Sequence, residues 1–91
     1  MKIRVLIADD HLLLRQGIRK VLELEPDFEV VDEAINGQEA LSKTLILEPD
    51  ILLLDLNMPM LNGVEVARQL KSAKAKTKII VLTMHDDDNY V

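Results

Sequence analysis

The chain has 91 residues, 48% of them apolar and 30% charged, which is the balance of one folded domain with a modest core. Its net charge of −5 and its single Phe and single Tyr exclude nucleic-acid binding by this segment and any aromatic platform for bases or sugars. With no cysteine, no apolar run long enough to cross a bilayer and no signal peptide ahead of the first strand, the expected setting is cytoplasmic, without disulfides or thiolate-bound metal.

The pattern alternates strand and helix. Residues 2–8 read as a strand. A helix starts at Asp10 or His11, carries the stripe Leu14, Ile18, Val21 and Leu22, and stops at Pro26. Phe28, Val30 and Val31 form a second strand whose acids, Glu29, Asp32 and Glu33, suit a sheet edge. Asn36-Gly37-Gln38-Glu39 has capping-box form and opens a helix with Ala40, Leu41, Thr44, Leu45 and Leu47, broken by Pro49. Residues 50–55 are the third strand, and 56–62 a loop holding Met58-Pro59. Gly63 then opens a helix with Val64, Ala67 and Leu70 inward. Residues 71–77 read as a solvated turn, 79–83 as the fourth strand, and His85-Asp86-Asp87-Asp88 as the start of another helix. The order βαβαβαβ implies right-handed crossovers and a three-layer α/β sandwich.

Two of these strands end abruptly in acids. Val5-Leu6-Ile7-Ala8 runs into Asp9-Asp10, and Ile51-Leu52-Leu53-Leu54 into Asp55. Ligands of an open parallel sheet bind beyond the carboxyl ends of its strands, so both clusters point to one crevice. Three carboxylates there repel one another unless a cation joins them, which points to a hard metal ion and phosphoryl chemistry. Each acid has a plainer role open to it, as a helix cap or a loop cap, but two adjacent acids exceed what a cap needs.

Ile7-Ala8-Asp9-Asp10-His11, Leu53-Leu54-Asp55-Leu56-Asn57-Met58-Pro59, the Asn62-Gly63 turn and Val81-Leu82-Thr83-Met84-His85 together resemble the receiver domain of two-component response regulators. The wording after strands one and four is most similar to the NarL/FixJ-like subfamily with a LuxR-type output domain. The resemblance implies a flavodoxin-like (CheY-like) fold with a parallel sheet of order 2-1-3-4, the fifth strand and helix missing. It implies phosphorylation of Asp55 by a sensor histidine kinase, with Mg²⁺ held by Asp9, Asp10, Asp55 and the backbone carbonyl of Asn57. Thr83 becomes the phosphate-binding switch, Pro59 and Gly63 shape the loop, and Leu12 and Leu13 offer a docking surface for the kinase. Such a segment is not an enzyme, and it controls transcription through a DNA-binding domain outside it.

The sequence departs from that pattern at its end. A receiver's fifth-strand lysine and its switch aromatic have no counterpart before Val91. The 91-residue polypeptide is therefore expected either to self-associate, for instance as a homodimer, through the edge of strand four or by a helix swap, or else to be the ordered part of a longer chain. Other readings are a non-signalling interaction fragment and a haloacid-dehalogenase-type hydrolase. The hydrolase needs an acid two residues after Asp55, where Asn57 stands. A dinucleotide-binding enzyme needs a glycine-rich loop where Asp9-Asp10-His11 stands.

Overall fold

The computed structural model describes residues 1–56, 58 and 60–82. Its elements are β1 (Ile3–Ala8), α1 (Leu12–Glu23), β2 (Phe28–Ala34), α2 (Gly37–Leu47), β3 (Ile51–Asp55), α3 (Gly63–Ser72) and β4 (Lys78–Leu82). All strand pairs are parallel, in the order β2-β1-β3-β4. None of the described helices is long and apolar enough to cross a membrane.

β1 is central, and its Val5, Leu6, Ile7 and Ala8 are all buried, as a strand covered on both faces must be. Side chains alternate across the sheet. Leu6 and Ala8 of β1 join Leu52 and Leu54 of β3, Ala34, Ala40, Met58, Val66 and Leu70 in one core beneath α2 and α3. Val5 and Ile7 face the other way, toward α1. That side is thinner, with Ile51 and Leu53 only half-buried. Leu14, Ile18, Val21 and Leu22 border an open apolar groove of about 410 Å³ along α1.

The helix starts follow local chemistry. Asn36 Oδ1 accepts the N–H of Glu39 at 2.8 Å, while Glu39 Oε1 accepts from Ile35 N–H at 3.1 Å, one residue earlier than a reciprocal capping box would place it. Asn62 Oδ1 caps α3 through the N–H of Glu65 at 2.9 Å. α2 ends at Glu48, left-handed at φ 47°, and Arg4 Nη1 donates to its carbonyl at 3.0 Å.

Four details differ from the sequence reading. Val21 is 64% exposed, because the inward stripe of α1 runs through Arg15, Ile18 and Leu22. Val64 is equally exposed, and Val66, four residues before Leu70, takes the inward position. α3 continues to Ser72, and Ala75 of the following turn packs on the core. The β1–β2 ladder slips at Val31: Val5 pairs with Val30 but Leu6 with Asp32. Asn57, Pro59, Thr83 and the acidic segment at 85–88 lie outside the described residues.

Candidate functional site

β1 and β3 are neighbours in register, Ala8 opposite Leu54, so the next residues, Asp9 and Asp55, stand side by side where the strands end. Both carboxylates are buried, and Asp10 is about one-third exposed. One ligand atom from each of Asp9, Asp10, His11 and Asp55 falls within a cluster no more than 4.8 Å across. The carboxylate convergence expected from the two strand ends is therefore present.

Asp9 is held firmly. Its N–H donates to Ala34 O at 3.0 Å, and its Oδ1 accepts the backbone N–H of His11 at 2.8 Å. Its Oδ2 is buried and, among the described residues, has no hydrogen-bond partner. A carboxylate oxygen taken out of water and given no donor is costly, and a coordinated cation removes that cost. Oxygen donors from three acids, one of them orphaned, fit a small hard divalent ion such as Mg²⁺, which completes its shell with water.

His11 does more than open α1. Its Nδ1 lies 2.9 Å from Asp9 Oδ1, 3.2 Å from Asp10 Oδ1 and 4.0 Å from Asp55 Oδ2. The hydrogen bond to Asp9, and then the charge of Asp10, raise its pKa above the usual 6.5. His11 is thus the N-cap residue of α1, while its ring, which makes no capping hydrogen bond, is a member of the acidic cluster.

A second layer lies behind Asp9 that the sequence reading missed. Arg15 is buried; its Nη1 donates to the Asp9 carbonyl at 2.9 Å and its Nε to Glu33 Oε1 at 2.7 Å. Arg19 Nη1 reaches the other Glu33 oxygen at 2.5 Å. Hydrogen bonding from Arg15 holds the Glu33 carboxyl below its usual 4.5. The available signal was a cation on the inward stripe of a helix, beside an acid at the end of the neighbouring strand.

Two glycines let the surrounding loop close. A Cβ on Gly63 would meet Leu56 Cα at 2.7 Å and the Asp55 carbonyl oxygen at 2.9 Å, so the loop-shaping position packs directly on the end of β3. Gly37, at the start of α2, is similarly pressed on Leu61. Met58 is buried beneath the loop. Leu12 and Leu13 are 55% and 81% exposed, on the first turn of α1 beside His11.

Residues 5–91 match the family described as the response regulator receiver domain. The chain is 43% identical over 90 residues to the transcriptional regulatory protein DegU of Brevibacillus brevis, covering 99% of this chain and 38% of DegU. It is 38% identical over 86 residues to the nitrate/nitrite response regulator NarL of Escherichia coli K12, covering 92% of this chain and 40% of NarL. The chain thus spans about two-fifths of the length of these relatives. The solved receiver domain of NarL from Mycobacterium tuberculosis superposes with a TM-score of 0.89 at 37% identity, covering 99% of this chain and 73% of that one. Family match, relatives and sheet order agree: the chain belongs to the response regulator receiver domains, in the NarL-like branch of LuxR-type regulators.

Proposed function

We propose that Asp55 accepts a phosphoryl group from a phosphohistidine of a sensor histidine kinase, in a Mg²⁺-dependent reaction. The observation that carries this reading is the meeting of Asp9, Asp10 and Asp55 at the ends of β1 and β3, with Asp9 Oδ2 buried and unpartnered among the described residues. Asp55 stands at a strand end, shielded from bulk water, so its position is set by the sheet. A carboxylate oxygen of Asp55 forms the new bond to phosphorus as the phosphorus–nitrogen bond of the donor breaks, and the released imidazole takes up a proton.

Mg²⁺, held by Asp9, Asp10, Asp55 and the backbone carbonyl of Asn57, would draw charge from the transferring phosphoryl oxygens. The chain's own residues do the rest. Asp9 and Asp10 build the cation site, Gly63 and Pro59 shape the loop behind the acceptor, and the Thr83 hydroxyl donates to a phosphoryl oxygen and relays its arrival. Leu12 and Leu13, exposed beside the crevice, meet the kinase. The chain acts as the acceptor in a cytoplasmic relay, and a DNA-binding domain outside residues 1–91 supplies the output. The name of DegU, a transcriptional regulatory protein, supports that output.

Treating the full-length protein with a small acyl phosphate and Mg²⁺ should place one base-labile phosphoryl group on Asp55, detectable by mass spectrometry. Asp55→Asn should remove it, and Thr83→Ala should leave it measurable while uncoupling it from DNA binding. Labelling of Asp55→Asn at the wild-type rate would overturn the assignment.

A further inference from the structure

We infer that Arg15 is a positioning residue for the acidic crevice, its guanidinium clamping the Asp9 backbone so that the carboxylate is presented to a cation. The inference rests on the reading of Asp9, Asp10 and Asp55 as a Mg²⁺ site. Arg15 sits one helical turn after His11, on the inward face of α1, and is buried. One side of its fork donates to the Asp9 carbonyl at 2.9 Å and the other to Glu33 at 2.7 Å. Glu33 is steadied in turn by Arg19 at 2.5 Å, and its carbonyl by Lys43 Nζ at 2.6 Å.

Asp9 is consequently fastened at both ends of its backbone. Ala34 O takes its N–H, and Arg15 holds its C=O. Both fasteners lead to the end of β2, the edge strand, so the cation site is braced from an element that contributes no ligand. Only a planar, multi-donor head spans the two partners; a lysine ammonium is a point donor on a flexible stem. Without the clamp, a buried carbonyl loses its donor and the β1–α1 junction can rotate Asp9 Oδ2 away from the crevice.

Electrostatics gives this role a distinctive sign. Arg15 is a cation beside a cation site, so on charge alone its neutralisation should tighten Mg²⁺ binding. A positioning role demands the opposite. The test is calorimetric titration of MgCl₂ into the full-length protein, well below the melting temperature of each variant. Arg15→Gln and Arg15→Lys should each weaken Mg²⁺ binding by about tenfold, the scale of a lost outer-shell partner. Leu70→Ala, a buried core position near the C-terminal end of α3 and outside the acidic cluster, should lower the melting temperature and leave Mg²⁺ affinity unchanged. Should the Arg15 variants fail to fold, Glu33→Asp, which keeps the charge but shortens the reach to Arg15, should weaken binding in the same direction. Tighter binding in Arg15→Gln, or wild-type affinity in Arg15→Lys or Glu33→Asp, overturns the positioning role alone. No Mg²⁺ binding by the wild type removes the metal site, and the inference with it.

Discussion

A methyl group on Gly37 would lie 1.6 Å from the carbonyl oxygen of Leu61, so the first turn of α2 rests directly on the backbone of the loop that follows β3. The contact involves main chain on one side and cannot be relieved by a rotamer change. Gly37→Ala should cost about 2–3 kcal/mol through overpacking, more than the roughly 1 kcal/mol that alanine offers a helix. Gly17, mid-way along α1, has nothing among the described residues within 4 Å of such a methyl, so Gly17→Ala should gain up to about 1 kcal/mol. Urea midpoints should therefore move in opposite directions for one and the same substitution; a rise for Gly37→Ala would contradict the packing described.

Mg²⁺ should stabilise the fold by linkage. A ligand at one hundred times its dissociation constant adds about 2.7 kcal/mol to a native state that alone binds it. The melting temperature should rise with millimolar Mg²⁺. Asp9→Asn should shrink that rise and, by relieving repulsion among three acids, raise the metal-free value. Lys76→Ala, on the exposed turn before β4, should leave the rise intact. Identical melting with and without Mg²⁺ would count against the site.

The Arg15–Glu33 pair should leave a mark on acid stability. Arg15 holds the folded-state pKa of Glu33 below its usual 4.5, so the folded state keeps this carboxylate ionised where the unfolded chain begins to take up a proton. The contribution is fully present above about pH 4.5 and is lost as pH falls through the depressed folded value. Glu33→Gln should make the denaturation midpoint less dependent on pH across that acid range. A slope as steep as the wild type's would show that other carboxylates carry it.

For the polypeptide of residues 1–91, the described strands leave β4 at a sheet edge, with Ile80 and Val81 42% and 45% exposed. The groove along α1 adds a second apolar surface. Sheet edges of this kind template pairing with another chain. Sedimentation of this polypeptide at micromolar concentration should show species heavier than its 10.3 kDa monomer, and Val81→Lys should reduce them. A compact, cooperatively melting monomer would sink this expectation.

The strands were legible because β1 and β3 are short unbroken apolar runs, a pattern that only a doubly covered strand tolerates. The acidic crevice was legible for the same reason: Asp9 and Asp55 end those runs, and parallel pairing brings both ends together. Helix faces were harder. α1 and α3 each carry apolar residues on more than one stripe, so Val21 and Val64 fitted a helical period yet point outward. Arg15 escaped notice because a charge reads as solvent-facing; its burial depends on Glu33, eighteen residues away in sequence and adjacent only after β2 is in place. His11 was read as a helix start, and its approach to three carboxylates required the junction's geometry.

The slip at Val31 sets the face of the sheet that Glu33 presents. Because Val5 pairs with Val30 but Ile7 with Glu33, the additional residue turns Glu33 to the sheet face occupied by α1. A regular ladder that kept Val31 and paired it with Leu6 would send that carboxylate to the opposite face, beneath α2. Arg15 would then face an empty position, although every residue of the crevice itself was intact. The placement of the slip, rather than the length of the edge strand, thus decides which helix Glu33 faces: loss of Val31 would leave Glu33 opposite Ile7, whereas ironing the slip out would turn it away.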